Sequence, residues 1–95
     1  MPAYERAQLS AELEVFTSPE AERSPRDQVE AAKAAASESG LAHEAGPETT
    51  VLAGSRKEVL QATVQVIEAA LDAGAHAVNV KVEAEGEAAR FYRES

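Results

Sequence analysis

The clearest period in the chain is helical. Leu60, Val64, Ile67 and Leu71 fall at i, i+4, i+7 and i+11, and Val59, Thr63, Val66 and Ala70 widen the stripe on one side. Residues spaced this way share one face of an α-helix, so a helix over about 56–73 is predicted to lay that face on a sheet. Ser55 with Glu58 three residues on forms a capping box, and Gly74 stands where a left-handed residue closes a helix. The period then changes from helical to alternating. Val78, Val80 and Val82 alternate with Asn79, Lys81 and Glu83, as in a half-buried strand. Near the N-terminus Leu9, Ala11, Leu13 and Val15 alternate in the same way with Ser10, Glu12 and Glu14.

Between these elements the punctuation is equally regular. Residues 17–24 carry Pro19, charges and small side chains, the composition of a loop. Ser24-Pro25-Arg26-Asp27 then opens a second helix, with serine at the N-cap, proline at the first helical position and a carboxylate at the third. Val29, Ala32 and Ala36 give it an edge of small apolar residues, and Ser39-Gly40 ends it. Residues 41–45 form a weakly marked strand, Gly46-Pro47 a turn, and residues 49–53 the hairpin partner.

The order is strand, helix, strand, strand, helix, strand. Its halves echo each other: the capping serines, Ser24 and Ser55, lie 31 residues apart, and the closing glycines, Gly40 and Gly74, 34 apart. This pattern predicts the α+β class, as a ferredoxin-like βαββαβ sandwich with both helices on one face of a four-stranded antiparallel sheet. The dry faces of the first and last strands are expected to meet the helices. The opposite face, carrying Ser10, Glu12, Glu14, Asn79, Lys81 and Glu83, is left without a roof. The expected ordered core is about 7–84, after a loose lead-in over 1–6. Residues 85–95 read as a tail in which 88–93, with Phe91 and Tyr92, form a short helix able to dock on a neighbour.

Composition adds one expectation and removes several. The 95 residues make one domain, and of the 44% hydrophobic share much is alanine, with only 4% aromatic. A core so thin favours burial of a further face against a second copy. The net charge of −8 and pI of about 4.7 argue against nucleic acid, which is held through clustered Lys and Arg. With no cysteine there is no disulfide framework and no thiolate chemistry. No apolar run reaches the roughly 18–20 residues of a membrane span, and the first residues lack the apolar core of a secretory signal. The expectation is a soluble cytoplasmic protein with no nucleic-acid or membrane partner.

Candidate chemistry is sparse. His43 and His76 stand 33 residues apart, neither with a carboxylate or histidine at ligand spacing, so no metal site is predicted. Gly46, Gly54 and Gly74 are isolated rather than grouped in a phosphate loop, and no Gly-x-Ser-x-Gly elbow surrounds a serine. No catalytic residue and no cofactor is predicted. What remains is the acidic pair Glu12 and Glu14 on the open sheet face, which reads either as a solvated face or as part of a ligand site.

At its centre the chain resembles a known family. Gly40-Leu41, Gly46-Pro47, Thr50-Val51-Leu52-x-Gly54, Val59-Leu60 and Ala73-Gly74-Ala75, leading into a valine-rich last strand, are similar to the small thiamine-binding family with the MTH1187/YkoF-like fold. The likeness spans about 9–83 and lies in the sum of these residues rather than in one motif. The chain departs from the family in reading Thr17-Ser18-Pro19-Glu20 where relatives often carry a Pro-Leu-Gly-like turn, and Ala53 where they often carry an acid. The resemblance implies a ferredoxin-like domain, assembled through its sheet as a homodimer or homotetramer, that binds thiamine or its hydroxymethylpyrimidine portion without reacting on it.

Thiamine presents a fixed positive thiazolium and an aminopyrimidine that donates and accepts hydrogen bonds. A site for it needs a carboxylate for the charge and an amide or hydroxyl for the ring. The open face offers Glu12 and Glu14 for the first, and Ser10, Asn79 and Thr49 or Thr50 for the second. The parity of the strand containing Thr49 and Thr50 is left open, as is whether Lys81 pairs with Glu12 or Glu14 across strands. Three alternatives stand beside this reading: an ACT-like regulatory module for a small effector, a small cofactor-less enzyme of the same topology, and an assembly subunit with no ligand.

Overall fold

A computed structural model describes residues 8–43 and 45–84. The element order is β1 (Leu9–Phe16), α1 (Pro25–Ser39), β2 (Ala42–His43), β3 (Thr49–Gly54), α2 (Arg56–Asp72) and β4 (Ala77–Ala84). The strands form one antiparallel sheet in the order β2-β3-β1-β4, the ferredoxin-like arrangement that the sequence pattern predicts. The predicted lead-in and the predicted helix at 88–93 lie outside the described residues.

Both helices start where their caps say. The Ser24 hydroxyl accepts from the Asp27 amide at 3.1 Å, with Pro25 following, and Gly40 closes α1 at φ 76°. The Ser55 hydroxyl accepts from the Glu58 amide at 3.3 Å and donates to the Glu58 carboxylate at 2.9 Å. The capping pair is therefore closed through the serine hydroxyl. Gly74, at φ 105°, follows the last turn of α2.

The core sits between the sheet and the helices. Ala11, Leu13 and Val15 of β1 and Leu52 of β3 meet Ala32 and Ala36 of α1 and Val59, Ala62, Val66 and Ala70 of α2. Gln28 is buried with them, and none of its polar atoms is idle. Its Oε1 accepts from the Ser18 amide at 2.8 Å, while its Nε2 donates to the Ser18 and Arg23 carbonyls at 2.8 and 2.9 Å. One side chain thus pins the loop between β1 and α1.

Two expectations about the core are corrected. The stripe assigned to the sheet, Leu60, Val64 and Leu71, is 42%, 54% and 49% exposed, whereas its supposed flank, Val59, Thr63, Val66 and Ala70, is the buried side of α2. Helical spacing identifies residues that share a face; with two adjacent apolar stripes it does not choose between them. The last strand also differs from expectation. Register places Val80 opposite Leu13 and Val82 opposite Ala11, on the helix side, yet these two valines are 36% and 44% exposed because β4 is an edge strand beyond the helices' cover. The weakly marked strand at 41–45 is shorter than predicted, pairing through Ala42 and His43 alone.

Candidate ligand-binding face

Strand register arranges the open side of the sheet into rows. Glu14 of β1 lies between Thr49 of β3 and Asn79 of β4. Glu12 lies between Val51 and Lys81, with His43 beyond Val51, and Ser10 lies between Ala53 and Glu83. Directly paired residues share a face, and neighbouring strands are about 4.8 Å apart. The row Thr49–Glu14–Asn79 therefore sets a hydroxyl, a carboxylate and an amide side by side over roughly 10 Å.

Five of the six residues expected at a site are brought onto this surface: Ser10, Glu12, Glu14, Thr49 and Asn79. Thr50 is not. It pairs with Leu13 on the helix side and is 4% exposed, which settles the strand parity in favour of Thr49. The Thr49 hydroxyl accepts from the Gly46 amide at 2.7 Å, so its oxygen is fixed by the turn while its proton can still be donated. Beneath the same turn, the Lys33 ammonium donates to the Gly46 and Thr49 carbonyls at 3.0 and 2.7 Å, tying the β2–β3 hairpin to α1.

Lys81 faces Glu12 across the strands, yet its ammonium lies 3.9 Å from the Glu83 carboxylate on its own strand, with both side chains mostly exposed. Among the described residues, neither Glu12 nor Glu14 has a hydrogen bond or an ion pair. The two carboxylates are therefore available to a cation.

The larger hollows lie elsewhere. One of about 370 Å³ runs between α1 and the β2–β3 turn, lined by Thr17, Arg26, Val29, Glu30, Lys33 and Glu48 among others. Another, of about 410 Å³, follows the β2–β3 edge past Gln8, His43, Ser55 and Glu58. Neither is lined by Glu12, Glu14 or Asn79. Among the described residues no group of three or more His, Asp or Glu could hold a metal ion, and no helix is long and apolar enough to cross a membrane.

Gln28 and Lys33 are the polar residues that sequence reading missed. Neither belongs to the apolar edge of Val29, Ala32 and Ala36 from which α1 is predicted. The one local signal was the position of Gln28 at i−4 from Ala32 and i−8 from Ala36, within the buried stripe.

Comparison with known proteins is consistent with this architecture. None of the curated proteins matches the chain. A solved structure described as a domain of unknown function, DUF77, from Bacillus cereus superposes with a TM-score of 0.61 at 20% identity, covering 87% of this chain and 80% of that one. At that identity the likeness establishes the fold alone. The model of a family described as thiamine-binding protein matches residues 11–89, most of the chain including all of α1, α2 and β3, and the chain belongs to that family.

Proposed function

We propose that the protein captures thiamine, or its hydroxymethylpyrimidine portion, on the open face of the sheet, reversibly and without chemistry. The observation that carries this reading is the row Thr49–Glu14–Asn79. Glu14 neutralises the thiazolium, assisted by Glu12 two residues along the same strand face. Asn79 and Thr49 offer the amide and the hydroxyl that an aminopyrimidine can pair with, and Ser10 extends the polar surface. The reading includes a homodimer or homotetramer, built through the sheet, that supplies a second wall to the bound ligand. Family membership supports the ligand class.

Calorimetric titration with thiamine and with hydroxymethylpyrimidine tests the site. Replacing a buried or half-buried charge partner with its neutral amide removes about 1.5–3 kcal/mol. Glu14→Gln is therefore expected to weaken thiamine binding by roughly tenfold to a hundredfold. The uncharged pyrimidine should be affected less. Thiamine binding unchanged in both Glu12→Gln and Glu14→Gln would place the ligand on another surface.

A further inference from the structure

The chain has two phenylalanines, two tyrosines and no tryptophan. Among the described residues Phe16 is the only one of these, and it lies outside the core. The largest fully buried side chains are Leu13, Leu52, Gln28, Val59 and Val66, whereas Phe16 is 42% exposed. A phenylalanine removes more apolar area from water than any of the five, so a core built largely of alanine leaves out its best filler. The alternation of β1 explains where the ring goes instead. Ala11, Leu13 and Val15 meet the helices, so Phe16 falls on the open face with Ser10, Glu12 and Glu14.

Phe16 stands one row beyond the row of Thr49, Glu14 and Asn79, roughly 7 Å along the strand from Glu14. Little stands beside it. Its partner on β4 is Ala77, and the β3 ladder ends one row earlier, at the pair of Glu14 and Thr49. Its backbone is nevertheless held, because the Phe16 carbonyl accepts from the His76 amide at 2.8 Å.

We infer that Phe16 is the stacking surface of the ligand face and that it selects a planar aromatic cation. For thiamine, the thiazolium lies on the Phe16 ring while Glu14 neutralises its charge from the side. The aminopyrimidine then extends over the next row, toward Asn79 and Thr49. The inference rests on the reading proposed above and gives the bound molecule an orientation. Carboxylates by themselves accept any cation, and a bare ring accepts any apolar group. A ring face carries partial negative charge, so beside a carboxylate it favours a ligand that is both flat and positive.

Calorimetry on full-chain variants, with tryptophan fluorescence, tests this. Phe16→Leu keeps apolar bulk at an exposed position, so the circular dichroism should be unchanged. Thiamine binding should weaken roughly threefold to thirtyfold, the span of a cation–ring contact. Hydroxymethylpyrimidine, which has no thiazolium, should change by less than about twofold. Phe16→Trp should bind thiamine at least as well as the wild type. It also gives the described region its one indole, whose emission thiamine should quench saturably, with the calorimetric midpoint. Adding Glu14→Gln should move that midpoint to higher thiamine. Thiamine binding untouched by Phe16→Leu but weakened by Glu14→Gln overturns the role of the ring and leaves the site standing. Equal losses for thiamine and hydroxymethylpyrimidine in Phe16→Leu overturn the placing of the thiazolium on the ring. Tryptophan emission that follows protein dilution and ignores thiamine overturns the inference by assigning Phe16 to a contact between copies. A wild type that binds no thiamine overturns this inference and the proposed function together.

Discussion

β1 and β4 are nearly the same strand in sequence and quite different strands in the molecule. Both run for eight residues and both alternate apolar with polar side chains. In β1 the inward residues Ala11, Leu13 and Val15 are 0–2% exposed, while Val80 and Val82 of β4, on the same side of the same sheet, remain open. The difference is position. β1 is flanked by β3 and β4 and roofed by both helices, whereas β4 has one neighbour among the described residues and lies at the margin of α2. Alternation thus names the face a residue occupies; whether anything covers that face is decided by strand order, a property of the whole topology.

The sharpest way to break this comparison is to truncate one residue on each strand. Leu13→Ala, deep under the helices, is expected to destabilise the fold by about 3 kcal/mol, combining lost transfer energy with a cavity. Val82→Ala should change the stability of the single chain by less than about 0.5 kcal/mol, the usual range for surface sites. Chemical denaturation of both variants at concentrations too low for association gives the two values. Similar losses would mean that β4 is as well covered as β1.

The two closing glycines extend the comparison to the helices. Both have positive φ, yet a side chain at Gly40 would enter open space, whereas a Cβ at Gly74 would lie 2.6 Å from the Ala21 Cβ. Gly40→Ala carries only the conformational penalty of about 1 kcal/mol, and Gly74→Ala adds a collision with the pinned loop, for a total of about 2 kcal/mol or more. Thermal unfolding of the pair would show the order reversed or equal if the loop can yield.

The smallest expected effects come from adjacent residues of α2. The Thr63 hydroxyl is buried with no hydrogen-bond partner among the described residues, so Thr63→Val should stabilise by about 1 kcal/mol. Val64→Thr, one residue on and exposed, should leave the single chain within about 0.5 kcal/mol of the wild type. Denaturation midpoints distinguish the two.

Much of the fold was legible because local signals agreed. Ser24, Pro25 and Gly40 mark α1, Ser55 and Gly74 mark α2, and two alternating runs mark the long strands. What the sequence could not supply was long-range. Two apolar stripes on α2 compete for one roof, and nothing within residues 56–72 says which side will face β1. Gln28 reads as an ordinary polar helix residue until the loop from Ser18 to Arg23 is seen folded around it. At the candidate face, the acids and Asn79 followed from alternation in β1 and β4. The choice of Thr49 over Thr50 required the register with Glu14 and Leu13, which no local pattern encodes. His43 joined the row of Glu12 for the same reason.

The opposite margin of the sheet carries a consequence of its own. β2 contributes two residues, Ala42 and His43, so that border offers almost no ladder for another chain to extend. If both borders were as long as β4, successive copies could add side by side without end and the protein would grow into ribbons. With one border cut to two residues, such side-by-side growth has no second ladder to continue from, and the short hairpin is what denies it one.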